Sequence, residues 1–178
     1  MIYLYKIVLK YMKTITFLTC WWTIDKDYWV WKWIYDIEIW KPSINNIIKK
    51  FDINYKIEVV EVLKKDSLDM TYEDRLLVKS SLEKIKNDRI IITHWTDTMI
   101  DTWKVINQIE NKVIVLVWSA RPWTMNNSDA ELNIWYAMWV LDILSDNKQY
   151  WIYLAMNWEY FNLNEVVKWD DWVFRKIN

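Results

Sequence analysis

The segment RIIITHWTDTMI (89–100) carries an unbroken β-branched apolar run into a short polar stretch and then into a helical pattern. A continuous apolar run, rather than strict alternation, is the pattern of a parallel strand covered on both faces. Working outward, ITFLT (15–19), KIEVVEVL (56–63), KVIVLVW (112–118) and YWIYLAMN (150–157) read as further strands of this kind. Helical patterns fall between them near 43–50, 72–87, 99–110 and 129–145. Two helix starts carry capping signals: Ser128 with Glu131, and a weaker version in Thr71 with Asp74. Strands alternating with helices imply right-handed crossovers. The expected fold is therefore a three-layer α/β/α sandwich around one doubly wound, mainly parallel sheet, as a single domain over 12–178 without internal repeats.

Composition removes several classes of function. Lys and Arg number 23 against 24 Asp and Glu, a net charge of −1, and no basic run or stripe appears. This gives no support to a nucleic-acid or anionic-membrane surface. The lone Cys20 rules out an internal disulfide and a cysteine-rich metal site, and the lone His94 argues against a histidine-based zinc site. Neither a metal nor a cofactor is expected. No apolar stretch reaches the ~18 residues a membrane span needs. Residues 1–19 are apolar with Lys6, Lys10 and Lys13 interspersed, and lack an uninterrupted apolar core followed by a cleavage site. We therefore expect a cytoplasmic protein in which Met12 opens the fold and residues 1–11 form an N-terminal extension.

The chain contains no glycine and sixteen tryptophans, where a domain of this length carries ~12 glycines. Trp21-Trp22, Trp95, Trp118 and Trp158 each follow an apolar run, where turns commonly ask for glycine. Glycine supplies positive φ and lets a ligand approach the main chain; an indole blocks both. The wealth of Ile, Asn, Lys, Tyr and Asp suits an AT-rich gene. We read most of the tryptophans as glycine positions whose UGA codons are rendered as Trp, the alternative being a natural Trp-rich protein. Strain or crowding is then expected at positions 21, 22, 95 and 118. The turn-rich connection DKDYWVWKWIYDIEIWK (25–41), read with glycine at 29, 31, 33 and 40, looks like a lid.

Ligands of open α/β sheets bind beyond the carboxyl ends of the strands. The first three strand ends carry Thr23, then Asp66-Ser67-Leu68-Asp69, then Thr96-Asp97, all expected to converge on one crevice. Here the residues carry a resemblance. TCWWTID (19–25), KKDSLDM (64–70), THWTDTM (93–99), VWSARP (117–122), SDAELN (128–133) and AMNW (155–158) with VVK (166–168) resemble the bacterial L-asparaginases. That family shows TGGTI, a DSxDM-like loop, HGTDT, GAxRP, a Ser/Ala-Asp segment and MN followed by Asp or Gly. With Trp read as Gly the match becomes TCGGTID, HGTDTM, VGSARP and MNG, over roughly residues 14–170.

The resemblance implies a role for each matched position. Thr23 is the acyl-accepting nucleophile, Thr96 the second catalytic threonine, Asp97 the aspartate beside it and Lys168 the family lysine. Ser67 binds the substrate α-carboxylate, with Leu68 where relatives often have Gln, and the Ser119 carbonyl meets the scissile amide. The lid tyrosine is Tyr28 or Tyr35, with Tyr35 preferred. The partner implied is a small amide substrate, and the assembly a homodimer or higher homo-oligomer. The second domain of the classical enzymes is absent from this stretch. A non-catalytic amino-acid-binding module, or an amidotransferase-like subunit on the same fold, is the competing reading. On structural grounds alone, Asp97 suits an N-cap for a helix from Met99, His94 packs at a strand end, Cys20 is a small buried thiol, and Arg121-Pro122 fixes a turn.

Overall fold

The computed structural model describes residues 12–20, 23–28, 37–39, 42–51, 53–65, 69–168 and 174–176. The extension 1–11, Trp21, Trp22, Tyr35, Asp66, Ser67 and Leu68 lie outside the described residues, as do 29–36 and 40–41 of the expected lid.

The elements run β1 (Lys13–Thr19), β2 (Lys26–Tyr28), β3 (Ile37–Ile39), α1 (Ile44–Ile48), β4 (Tyr55–Glu61), α2 (Tyr72–Lys84), β5 (Arg89–Thr93), α3 (Thr96–Ile106), β6 (Val113–Val117), α4 (Ala130–Asp146), β7 (Ile152–Met156), β8 (Glu159–Asn162), β9 (Val166–Lys168) and β10 (Phe174–Lys176). The main sheet has the order β4-β1-β5-β6-β7-β8. Its first five strands are parallel and β8 runs antiparallel along the edge. β2 with β3, and β9 with β10, form separate antiparallel ribbons.

The period of two along each strand divides the core. Ile90 and Ile92 of β5, with Ile114 and Leu116 of β6, pack with Val78 and Leu82 of α2 and Met99 and Ile106 of α3. Ile91, Val113, Val115 and Val117 pack instead with Ile44 and Ile47 of α1 and Ile134, Ala137 and Leu141 of α4. Both sheet faces are buried, which accounts for the unbroken apolar runs and gives the three layers expected.

Helix ends depart from expectation. The Thr71–Asp74 box forms in full: the Thr71 hydroxyl accepts from the Asp74 N–H, and the Asp74 carboxylate accepts from the Thr71 N–H at 2.9 Å. That N–H, together with Lys65, holds the Asp74 carboxyl below its ordinary range against the opposing effect of burial. The Ser128–Glu131 box does not form. Glu131 is taken by the Trp123 indole N–H at 2.9 Å and by Lys50, and the Ser128 hydroxyl donates to the Arg121 carbonyl. Asp129 caps α4 by position only. α3 starts three residues earlier than expected, because Trp95 is extended (φ −82, ψ 147) and stands at the cap. Asp97 therefore lies inside the first turn and is not the N-cap.

The last expected strand stops at Met156, turns through Asn157 and Trp158, and returns as β8, which was not expected. The positive φ values of the described chain fall on Asn111, Lys148, Asn157 and Trp158. Trp95 and Trp118 have no positive φ, so the backbone strain expected there is found at Trp158 instead.

Candidate active site

The strand order places β4 on one side of β1 and β5 on the other, so connections leaving β1 and β5 diverge to opposite faces. Such a switch point opens a crevice at the carboxyl ends of the strands. Thr19 and Thr93, the last residues of these two strands, stand opposite each other in the register. The chain therefore reaches Thr23 and Thr96 from adjacent points on the sheet edge.

Thr23 opens a single 3-10 turn ending at Asp25. Two latches hold this turn. The Ile24 carbonyl accepts from the Trp123 N–H at 3.2 Å, and the Asp25 carboxylate accepts from the Ser43 N–H at 2.6 Å. Ile24 itself is buried. The loop after β6 and the start of α1 thus fix where the first strand's connection begins.

Thr96 is the first residue of α3 and is fully buried, yet its hydroxyl has no hydrogen-bond partner among the described residues. The hydroxyls of Thr19, Thr93 and Thr98 share that condition. A buried polar group left unpaired costs about 1–3 kcal/mol. Several such groups near one end of the sheet suit an edge that receives a polar ligand better than a sealed core. The positive end of the α3 dipole lies at the same place and favours negative charge. The Asp97 carboxylate accepts the Trp95 indole N–H, and the Trp95 ring meets Trp118 edge-to-face with centroids 5.5 Å apart. The Trp118 indole nitrogen is buried and unpartnered among the described residues. As written, two indoles occupy the space beside Thr96 and Asp97.

His94 is fully buried. Its Nδ1 lies 2.8 Å from the Trp95 carbonyl, which can only accept, so Nδ1 carries the proton and donates. Nε2 then accepts from the Thr102 hydroxyl at 2.7 Å. Burial pushes the ring down to about 4, leaving it neutral. The expectation that it packs at a strand end holds, and the tie to Thr102 joins the end of β5 to the middle of α3.

Ser119 is buried and its hydroxyl donates to the Arg121 carbonyl at 2.8 Å. The Ala120 and Arg121 N–H groups donate to Asp129, and the Asn133 amide donates to the Trp118 carbonyl. This loop is rigidly latched to α4, and Arg121 with buried Pro122 does fix the turn. Lys168 closes β9 opposite Phe174. Val166 and Phe174 seat that ribbon in the apolar layer that holds Met99 of α3. Tyr28, the other lid candidate, lies in β2. Cys20 is buried just past β1. Thr19, Thr93 and Thr98 were missed from sequence, although a threonine ending each of two neighbouring strands was a visible signal. Among the described residues no three of His, Cys, Asp and Glu are grouped to hold a metal, and no helix is long and apolar enough to cross a membrane.

The family described as "Asparaginase, N-terminal" matches residues 36–177, a span that starts beyond Thr23. Among solved structures, the probable cytoplasmic L-asparaginase of Campylobacter jejuni superposes with a TM-score of 0.71 at 25% identity, over 88% of this chain and 49% of that one. The thermostable L-asparaginase of Thermococcus kodakarensis gives 0.73 at 23% identity, over 93% and 51%. L-asparaginase I of Vibrio cholerae gives 0.69 at 19% identity, over 93% and 52%. The chain thus spans about half the length of these relatives. No curated protein matches it.

Proposed function

The chain belongs to the asparaginase N-terminal family, and from that premise we propose that it is a cytoplasmic amidohydrolase releasing ammonia from the side-chain amide of L-asparagine or a similar small amide. The observation that carries this reading is the buried, unpartnered Thr96 hydroxyl at the α3 N-terminus, at the switch point of the sheet. A hydroxyl so placed is available to a substrate or to an attacking water, and the helix end favours the oxyanion that amide cleavage develops.

In this reading the Thr23 hydroxyl attacks the amide carbon, and its proton passes to neutral Lys168 by way of Thr96. The C–N bond breaks, the nitrogen takes that proton and leaves as ammonia, and water hydrolyses the Thr23 ester to the free acid. Asp97 orients the lysine and meets the substrate ammonium. Ser67 holds the α-carboxylate with Leu68 beside it, the Ser119 carbonyl faces the scissile amide, and Tyr35 closes over the site. Main-chain N–H groups at 21–23 and near Thr96 stabilise the oxyanion. Close approach of the main chain requires glycine at 21, 22 and 95. Residues 12–178 act as one domain, and the protein works as a homodimer or higher homo-oligomer.

The test is ammonia release from a chain carrying glycine at the sixteen Trp positions, offered L-asparagine and L-glutamine. Release that disappears in Thr23→Ala supports the enzyme. The second reading is a non-catalytic amino-acid-binding module on the same fold. Amino-acid binding with no ammonia release would replace the first reading with that one.

A further inference from the structure

We infer that glycine, not tryptophan, occupies position 158 in the protein as its own cell makes it, and that most of the other fifteen Trp positions follow the same substitution. The β7–β8 hairpin carries the inference, and it does not depend on the catalytic reading. Met156 pairs with Glu159, so the connection is the two residues Asn157 and Trp158. Their φ values are 51 and 65. Positive φ at both central residues is the signature of a type I′ turn, the turn whose twist matches a two-residue hairpin. Its preferred sequence is Asn-Gly. The chain supplies the Asn and puts its bulkiest side chain in the second place. A large side chain at positive φ is an outlier, whereas the Asn just before it tolerates that region.

Side-chain surroundings agree. Trp158 is 68% exposed, Trp139 58% and Trp151 53%, although tryptophan is on average among the more buried residues. Trp158 packs edge-on against Tyr136, which stacks on Trp139. An exposed aromatic cluster of this kind could be a docking surface. That alternative accounts for the exposure and leaves the φ of 65 unexplained; glycine accounts for both. The count agrees as well, since sixteen replaced residues restore a full glycine complement to a chain that has none. A cell that reads UGA as glycine produces this pattern when its gene is rendered with UGA as Trp.

The inference also bears on the crevice. Glycine at 95 and 118 removes the edge-to-face indole pair and the indole N–H held by Asp97.

Two measurements test it independently of activity. First, the peptide spanning residue 158 is weighed from protein isolated out of the native cell, and the codon at that position is read. Glycine by mass and UGA by codon are expected; tryptophan by mass, or UGG, overturns the inference. Second, unfolding midpoints are compared for the recombinant chain as written and for Trp158→Gly, Trp158→Asn and Trp158→Ala. Gly is expected to raise the midpoint most, Asn less, and Ala not at all, because only the first two suit positive φ. An equal gain for Ala would mean that loss of an exposed indole is the whole effect, and would overturn the backbone argument. The mass measurement stands even if the chain as written fails to fold.

Discussion

His94 and Thr102 are joined by a buried hydrogen bond of 2.7 Å in which the imidazole accepts. The acceptor role follows from the other ring nitrogen, which donates to the Trp95 carbonyl. The pair ties the last turn of chain before Thr96 to the interior of α3, so the placement of the candidate site depends on a histidine that stays neutral.

Stability should therefore depend on pH in a defined window. Desolvation lowers the folded His94 to about 4 from an ordinary 6.5, with the nearby Arg75 charge adding to the effect. Between these values the unfolded chain binds a proton that the folded chain does not, so stability rises with pH across the window and is fully present above about 6.5. The full difference is on the order of 3 kcal/mol. Urea unfolding at steps from pH 7 to pH 4 should show this loss, and the slope should flatten in His94→Asn. A wild-type slope no steeper than the variant's would mean that the ring protonates freely in the folded state.

The reciprocal cap of α2 makes a second prediction. Asp74 accepts from the Thr71 N–H and from Lys65 at 2.9 Å, and its carboxyl is held below the ordinary value of 3.8. Asp74→Ala leaves the Thr71 N–H without its acceptor and should cost about 1–2 kcal/mol, within the range measured for caps. Because the folded value is depressed, the contribution is intact above about 4 and fades only as pH falls below that. Chemical denaturation of the variant at pH 7 and pH 3 checks both statements. The cost should shrink at the lower pH.

How much was legible from sequence differs by element. Strand centres were read correctly because burial on both faces leaves no ambiguity of period: Ile90, Ile91 and Ile92 are all fully buried. Helix starts were less legible, since a cap depends on tertiary partners. Glu131 matched its motif and was drawn off to Lys50 and Trp123. The β8 hairpin was hidden by a different cause. Asn-Gly between two apolar runs is the strongest short-range hairpin signal, and Asn157-Trp158 displays it only once Trp158 is read as glycine. Thr96 and Asp97 were legible as candidates because they follow just after the β-branched run of β5. Lys168 was not, because nothing in the spacing of VVK marks its lysine; only the family resemblance did.

Asp97 makes the third prediction, tested on the glycine-restored chain. In the proposed mechanism this carboxylate both orients Lys168 and meets the substrate ammonium. Asp97→Asn keeps the size and removes the charge, so kcat should fall and KM should rise together. Asp97 lies in the first turn of α3, where a negative charge also steadies the helix, so a stability loss of about 0.3–1 kcal/mol should accompany the kinetic change. Steady-state ammonia release beside a thermal melt separates the two effects. A variant with unchanged KM would remove the ammonium from its proposed partner.

The sharpest contrast lies between Thr23 and Lys168. Thr23 opens a turn that is held through its next two residues, the Ile24 carbonyl accepting from the Trp123 N–H and the Asp25 carboxylate from the Ser43 N–H. Thr23→Ala should therefore abolish amide hydrolysis and change stability by no more than about 1 kcal/mol. Lys168→Met should also lower turnover strongly, since the proton acceptor is lost while an apolar stem of similar length remains. The two variants should differ in pH dependence. Thr23→Ala has no attacking oxygen and stays silent at every pH, whereas Lys168→Met keeps the hydroxyl and loses only the acceptor of its proton, so it should regain some turnover as pH rises. Ammonia release followed across rising pH should show that recovery in the lysine variant and none in the threonine variant. Full activity in Thr23→Ala would sink the nucleophile assignment, and with Lys168→Met silent as well, the site would bind its ligand without turning it over.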